Sequence, residues 1–99
     1  MSMIRVWVEQ PADLPRVIQA VRPASGAPIG QIRALIESGQ PVEEAELFLN
    51  DYADVADRLR AVVRGLQDID ARFTIREDEY PISSEALVNI LAGSERYRL

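Results

Sequence analysis

The stretch from Asp13 to Ser38, DLPRVIQAVRPASGAPIGQIRALIES, constrains the fold more than any other part of the chain. Leu14, Val17, Ile18 and Val21 recur at helical spacing, and Ile29, Ile32, Leu35 and Ile36 repeat the pattern. Asp13 is placed to cap the first helix, and Pro15 falls in its first turn, where a missing N–H costs nothing. Gly39 is placed to end the second helix. Between them, Gly26 is free to adopt positive φ, and Pro23 and Pro28 stiffen the connection on either side. Two amphipathic helices joined this tightly must form a hairpin or corner whose apolar faces share one core.

The remaining segments supply what that helical pair packs against. Ile4–Glu9 alternates, with Ile4, Val6 and Val8 on one side and Arg5, Trp7 and Glu9 on the other, which predicts a half-buried strand. The PVEEAELFL stretch (41–49) suits a helix as well as a strand, and a strand over Ala45–Leu49 is the preferred reading. Asn50 or Asp51 would cap the longest helix, from about Tyr52 to Gln67, whose stripe is Tyr52, Val55, Ala56, Leu59, Val62, Val63 and Leu66. Asp54 and Arg58 stand four apart in the favourable orientation for an ion pair. Ala71–Glu77 alternates again, with Phe73 and Ile75 inward. Glu77–Tyr80 then reads as an acidic connector. Ser83 or Ser84 would cap a short helix, Glu85–Leu91, ended by Gly93, with fraying expected over residues 94–99. The expected architecture is an α+β two-layer sandwich, β-α-α-β-α-β, with a small three-stranded, mostly antiparallel sheet and an added C-terminal helix. Trp7 falls on the more polar sheet face. The C-terminal apolar residues Ile82, Leu87, Val88, Ile90 and Leu91 are expected to dock there, or else to form an exposed interface.

Ninety-nine residues make a single domain, able to bury about two thirds of its unfolded surface. No run approaches the length of a membrane span and no secretory apolar stretch follows Met1, so a cytoplasmic location is expected. The chain has no Cys, no His and no Lys; all 11 basic residues are Arg. Thiolate chemistry and disulfides are thereby excluded, and the commonest general base and zinc ligand are missing. The net charge of −5 is unevenly spread: residues 1–40 hold four Arg against three acids, residues 41–99 seven Arg against thirteen. Such a chain repels nucleic acid and suits a basic protein partner, or uses its charge for solubility alone.

Asp51, Asp54 and Asp57 are spaced so that they drift across one helical surface, which reads as a solvated helix start or as oxygen ligands for a divalent ion. The solvated start is preferred, and neither metal nor cofactor is expected. Ser25 lacks a His or Lys partner, and ASGAPIG has no G-K-[ST] ending, so neither nucleophilic catalysis nor phosphate binding is indicated. Glu77, Asp78 and Glu79 form either a solvated acidic run or a docking surface for a basic partner.

Val17-Ile18-Gln19-Ala20-Val21-Arg22 resembles the V-I-K-A-V-R signature in the C-terminal domain of the bacterial large-subunit ribosomal stalk protein. Where that family continues G-A-T-G-L-G-L-K-E-A-K-D-L-V-E-S, this chain reads PASGAPIGQIRALIES without a gap, through Ser38. The close likeness spans about 22 residues, and a looser one in element order covers 4–77, leaving 78–99 as an extension. The resemblance implies the ClpS-like fold of that domain and binding of translation factors through the two helices, with Ile18, Arg22 and Arg33 at contact positions. Leu14, Gln19 and Gly30 replace lysines of the family's contact surface, and the family's dimerisation domain and Ala-rich hinge are missing from this sequence.

These readings lead to a non-catalytic protein-binding domain, monomeric or weakly dimeric. The expected role is that of a neutralising partner, such as an immunity protein covering the basic surface of a bacterial toxin with acids from residues 41–79. Partner-binding candidates are Ile18, Arg22, Arg33, Glu77, Asp78 and Glu79. Two alternatives remain: a translation-linked module that contacts elongation factors or the ribosome, and a small enzyme using a pair of carboxylates.

Overall fold

A computed structural model describes residues 3–10, 13–46 and 52–96. The elements run β1 (Met3–Val8), α1 (Leu14–Ser25), α2 (Ile29–Glu37), β2 (Glu43–Glu46), α3 (Tyr52–Asp68), β3 (Phe73–Glu77), β4 (Tyr80–Ile82) and α4 (Ser84–Arg96). The strands form one antiparallel sheet in the order β2-β1-β3-β4. One face carries Ile4, Val6, Val8, Ala45 and Ile75, all buried beneath the helices. The other carries Arg5, Trp7 and Arg76 and has no helix over it among the described residues. The expected α+β sandwich is present, with four strands rather than three.

The added strand comes from the segment read as an acidic connector. Glu77 pairs directly with Tyr80, so Asp78 and Glu79 are the two residues of a tight hairpin turn. Asp78 takes φ 55°, in the left-handed region that Asp tolerates better than most side chains. Pro81 then lies in the outer strand, where its missing N–H removes nothing from a ladder on the far side.

The helical pair forms as its local chemistry requires. The Asp13 carboxylate accepts a long bond from the Arg16 N–H at 3.5 Å. α1 runs on through Pro23, in its last turn, and stops at Gly26, whose φ is 71° and whose N–H bonds the Arg22 carbonyl. Gly39, at φ 74°, follows the end of α2, while the N–H groups of Gly39 and Gln40 bond the carbonyls of Ile36 and Leu35. Val17, Ile18, Val21, Ile32 and Ile36 are all buried.

α3 is the central helix of the covering layer. Val55, Ala56, Leu59, Val62, Val63 and Leu66 are buried along it, and each such aliphatic side chain contributes about 1.5–3 kcal/mol. It crosses α1 so closely that a Cβ on Gly65 would lie 2.7 Å from the Ala20 carbonyl oxygen, so this position requires glycine for contact rather than for φ. The proposed Asn50 or Asp51 cap lies outside the described residues.

Three further expectations are corrected. β2 begins at Glu43, earlier than Ala45, because Glu43 and Ala45 together face the covered side; residues 47–49 lie outside the described set. α4 does not stop at Gly93 but continues to Arg96, since one glycine costs a helix only about 1 kcal/mol. Its cap is Ser83, whose hydroxyl accepts the Ala86 N–H at 3.0 Å. Finally, α4 packs beside α3, not on the Trp7 face: Leu87 and Leu91 are 1% and 0% exposed within the single core.

Candidate functional site

The residues singled out from the sequence separate into three environments. Ile18 is 4% exposed and packs in the core, so its side chain presents no surface to a partner. Arg22 and Arg33 stand exposed on α1 and α2, and no ion pair holds either among the described residues. Glu77, Asp78 and Glu79 form the β3–β4 hairpin, on the sheet instead of on the helical pair. No hydrogen bond or ion pair joins the two groups among the described residues.

Asp78 has a structural duty that its exposure alone does not suggest. Its carboxylate accepts the Met3 N–H at 3.0 Å, and its own N–H donates to the Met3 carbonyl at 2.8 Å. The hairpin is thereby tied to the start of β1. On the other side of Met3 stands Glu46, its register partner in β2. α3 folds back over β2 so that Arg58 reaches Glu43, which sets Asp54 one helical turn, about 6 Å, nearer the Glu46 end. Glu46, Glu77, Asp78 and Glu79 therefore lie at one end of the sheet, Glu46 on its open face and Glu77 on its covered face, with Asp54 on α3 above β2. Asp54, Asp78 and Glu79 are exposed, Glu46 and Glu77 half-buried, and none is paired with an arginine among the described residues.

The other acids of β2 are occupied differently. Glu44 pairs with Arg5 across the open face at 2.7 Å. Glu43 is 8% exposed, and its carboxylate accepts the Arg58 Nε–H at 2.7 Å. Burial pushes the Glu43 carboxyl above the usual range, against the opposing pull of the Arg58 charge and of hydrogen bonds from Arg58 and the Glu44 backbone. Arg58 thus serves Glu43, not Asp54 as its helical spacing suggested. Glu43 was missed as a core-facing acid. The available signal was parity, since Glu43 and Ala45 alternate with Glu44 and Glu46.

On the open face, the Arg76 guanidinium lies 5.4 Å from the centroid of the Trp7 ring, a cation–π contact worth about 0.5–1 kcal/mol at such a site. Trp7 is half-buried by this contact and by its strand neighbours, with Thr74 directly opposite. The Thr74 hydroxyl donates to Glu9 at 3.2 Å. A cleft of about 270 Å³ opens where α1 begins, lined by Val8, Glu9, Asp13, Arg16, Asp70 and Arg72 among others. Its mixed charges favour neither an anion nor a cation. Among the described residues no three acidic side chains are grouped to hold a metal ion; Asp57 is 3.5 Å from Arg60, and Asp51 lies outside that set.

No helix among the described residues is long and apolar enough to cross a membrane. The chain matches no protein-family model, no curated protein and no solved structure.

Proposed function

We propose that this chain is a non-catalytic protein-binding domain that acts in the cytoplasm as a neutralising partner, such as an immunity protein against a bacterial toxin. The observation that carries the reading is the acidic end of the sheet. Glu46, Glu77, Asp78 and Glu79 lie there on two strands and the hairpin turn, with Asp54 on α3, and no arginine compensates them among the described residues. Removing like charges from proximity is a favourable consequence of binding a basic surface, and a field of one sign speeds encounter with it. A toxin acting on nucleic acid presents such a surface. The partner is a protein, not nucleic acid or a membrane, and the domain works as a monomer or weak dimer.

The translation-linked reading keeps one specific support. Arg22 and Arg33 are exposed and unpaired among the described residues, at positions where the stalk-protein resemblance implies contacts. Against it stand the burial of Ile18 and the missing lysines at Leu14, Gln19 and Gly30.

Affinity capture from the native host, followed by binding measurements with the product of the adjacent gene, separates these readings. The expected result is one basic protein, bound in a salt-sensitive manner and inhibited by the domain. A bait carrying Asp54→Arg, Glu77→Arg and Glu79→Arg should lose it. Recovery of elongation factors by that bait, with their loss on Arg22→Glu plus Arg33→Glu, would overturn the neutralising role in favour of translation.

A further inference from the structure

α3 and α4 leave a groove of about 400 Å³ between them. Its floor is apolar: Val63, Leu87 and Leu91 are buried there, while Val88 stands 52% exposed on the α4 wall. Val88 is one of only three large apolar side chains so exposed among the described residues. The α3 wall carries Arg64 and the α4 wall carries Glu85, both exposed and in no ion pair among the described residues. The groove is thus positive on one wall and negative on the other.

We propose that this groove is a self-association surface whose occupant is a second copy of the chain. A twofold axis along the groove exchanges its walls, so the α3 wall of one copy meets the α4 wall of the other. Arg64 of each copy then faces Glu85 of its partner, and each Val88 sits over the apolar floor contributed by Val63. Every contact in such an isologous interface occurs twice, so one weak pair per chain becomes two per dimer. An acidic or basic foreign helix would satisfy only one wall and leave the other opposed by like charge; a second copy satisfies both. The interface is small and the chain carries a net charge of −5, so association is weak and strengthens with salt up to the point where the Arg64–Glu85 pairs are themselves screened.

Sedimentation equilibrium on the full chain tests this directly. The natural protein should show an apparent mass that climbs toward twice the monomer with concentration. Arg64→Glu alone and Glu85→Arg alone should each weaken the dimer by roughly tenfold or more, because each places like charges together twice. An equimolar mixture of those two variants should recover a dimer, because both charge pairs are matched across the mixed interface, and the double variant Arg64→Glu with Glu85→Arg should likewise recover self-association. Val88→Asp, at an exposed position, should abolish it while leaving the thermal transition nearly unmoved. A natural chain that stays monomeric to about 1 mM overturns the proposal, and so does a dimer unaffected by Val88→Asp and by both single charge reversals.

Discussion

The two acidic segments of the sheet, Glu43–Glu46 in β2 and Glu77–Glu79 at the β3–β4 hairpin, are similar in composition and opposite in circumstance. β2 lies beneath α3, and two of its acids are consumed inside the domain: Glu43 by Arg58 and Glu44 by Arg5. The hairpin acids meet no arginine among the described residues. A carboxylate already neutralised by its own chain has little to offer a partner. One left in solvent among like charges gains from an arriving cation. Net charge therefore overstates the acid left for the proposed binding surface, which is narrowed to the acids around Met3.

Substitutions at four positions probe that contrast. Arg58→Ala should have the largest effect, about 2–3 kcal/mol of stability lost at neutral pH, because Glu43 would stay buried without its partner. The loss should shrink on acidification, when Glu43 protonates; urea denaturation at two pH values reads both. Asp78→Ala should cost about 1–2 kcal/mol by removing the bond to Met3 and straining φ 55°, while Asp78→Asn should recover most of it. Comparable midpoints for the two variants would show the turn bond to be unimportant.

Glu43→Gln should change stability by less than about 1 kcal/mol, since the amide oxygen can still accept the Arg58 Nε–H and no buried charge remains. Its sharper signature is in pH. The folded Glu43 holds its proton more tightly than the unfolded one, so the folded state binds more protons between the ordinary carboxyl value and the raised one. Stability attributable to Glu43 is therefore highest below that window and falls as pH rises through it. The difference between the natural chain and Glu43→Gln should follow that slope, and a difference independent of pH would remove the raised carboxyl from the account. Glu79→Gln, at the solvent end of the contrast, should stay within about 0.5 kcal/mol of the natural chain in thermal melts. Any effect of that change should appear in partner binding instead.

Much of the layered fold was legible because its signals are local. Helical spacing at Val17, Ile18 and Val21, a cap at Asp13 and glycines at positions 26 and 39 all act within one or two turns of chain. The fourth strand was not, because an Asp-Glu turn lacks the glycine or asparagine that normally marks a hairpin. The place of α4 was not legible either: its stripe of Leu87 and Leu91 requires an apolar neighbour but does not say whether α3 or Trp7 supplies it. Of the candidate site, the hairpin acids were visible as a charge run, whereas Glu46 and Asp54 joined them only through strand register and the return of α3.

By itself, the sequence determined where α1 begins and α2 ends, which faces are apolar, and that the excess of acid lies in the second part of the chain. These are consequences of backbone sterics and of residue spacing, and they need no distant partner. Only the tertiary structure decided which acids remain free. The Glu43–Arg58 pair closes a separation of 15 residues and the Asp78–Met3 bond one of 75. Whether a carboxylate ends beside an arginine or in water depends on such closures, because desolvation and Coulomb attraction act through space and not along the chain.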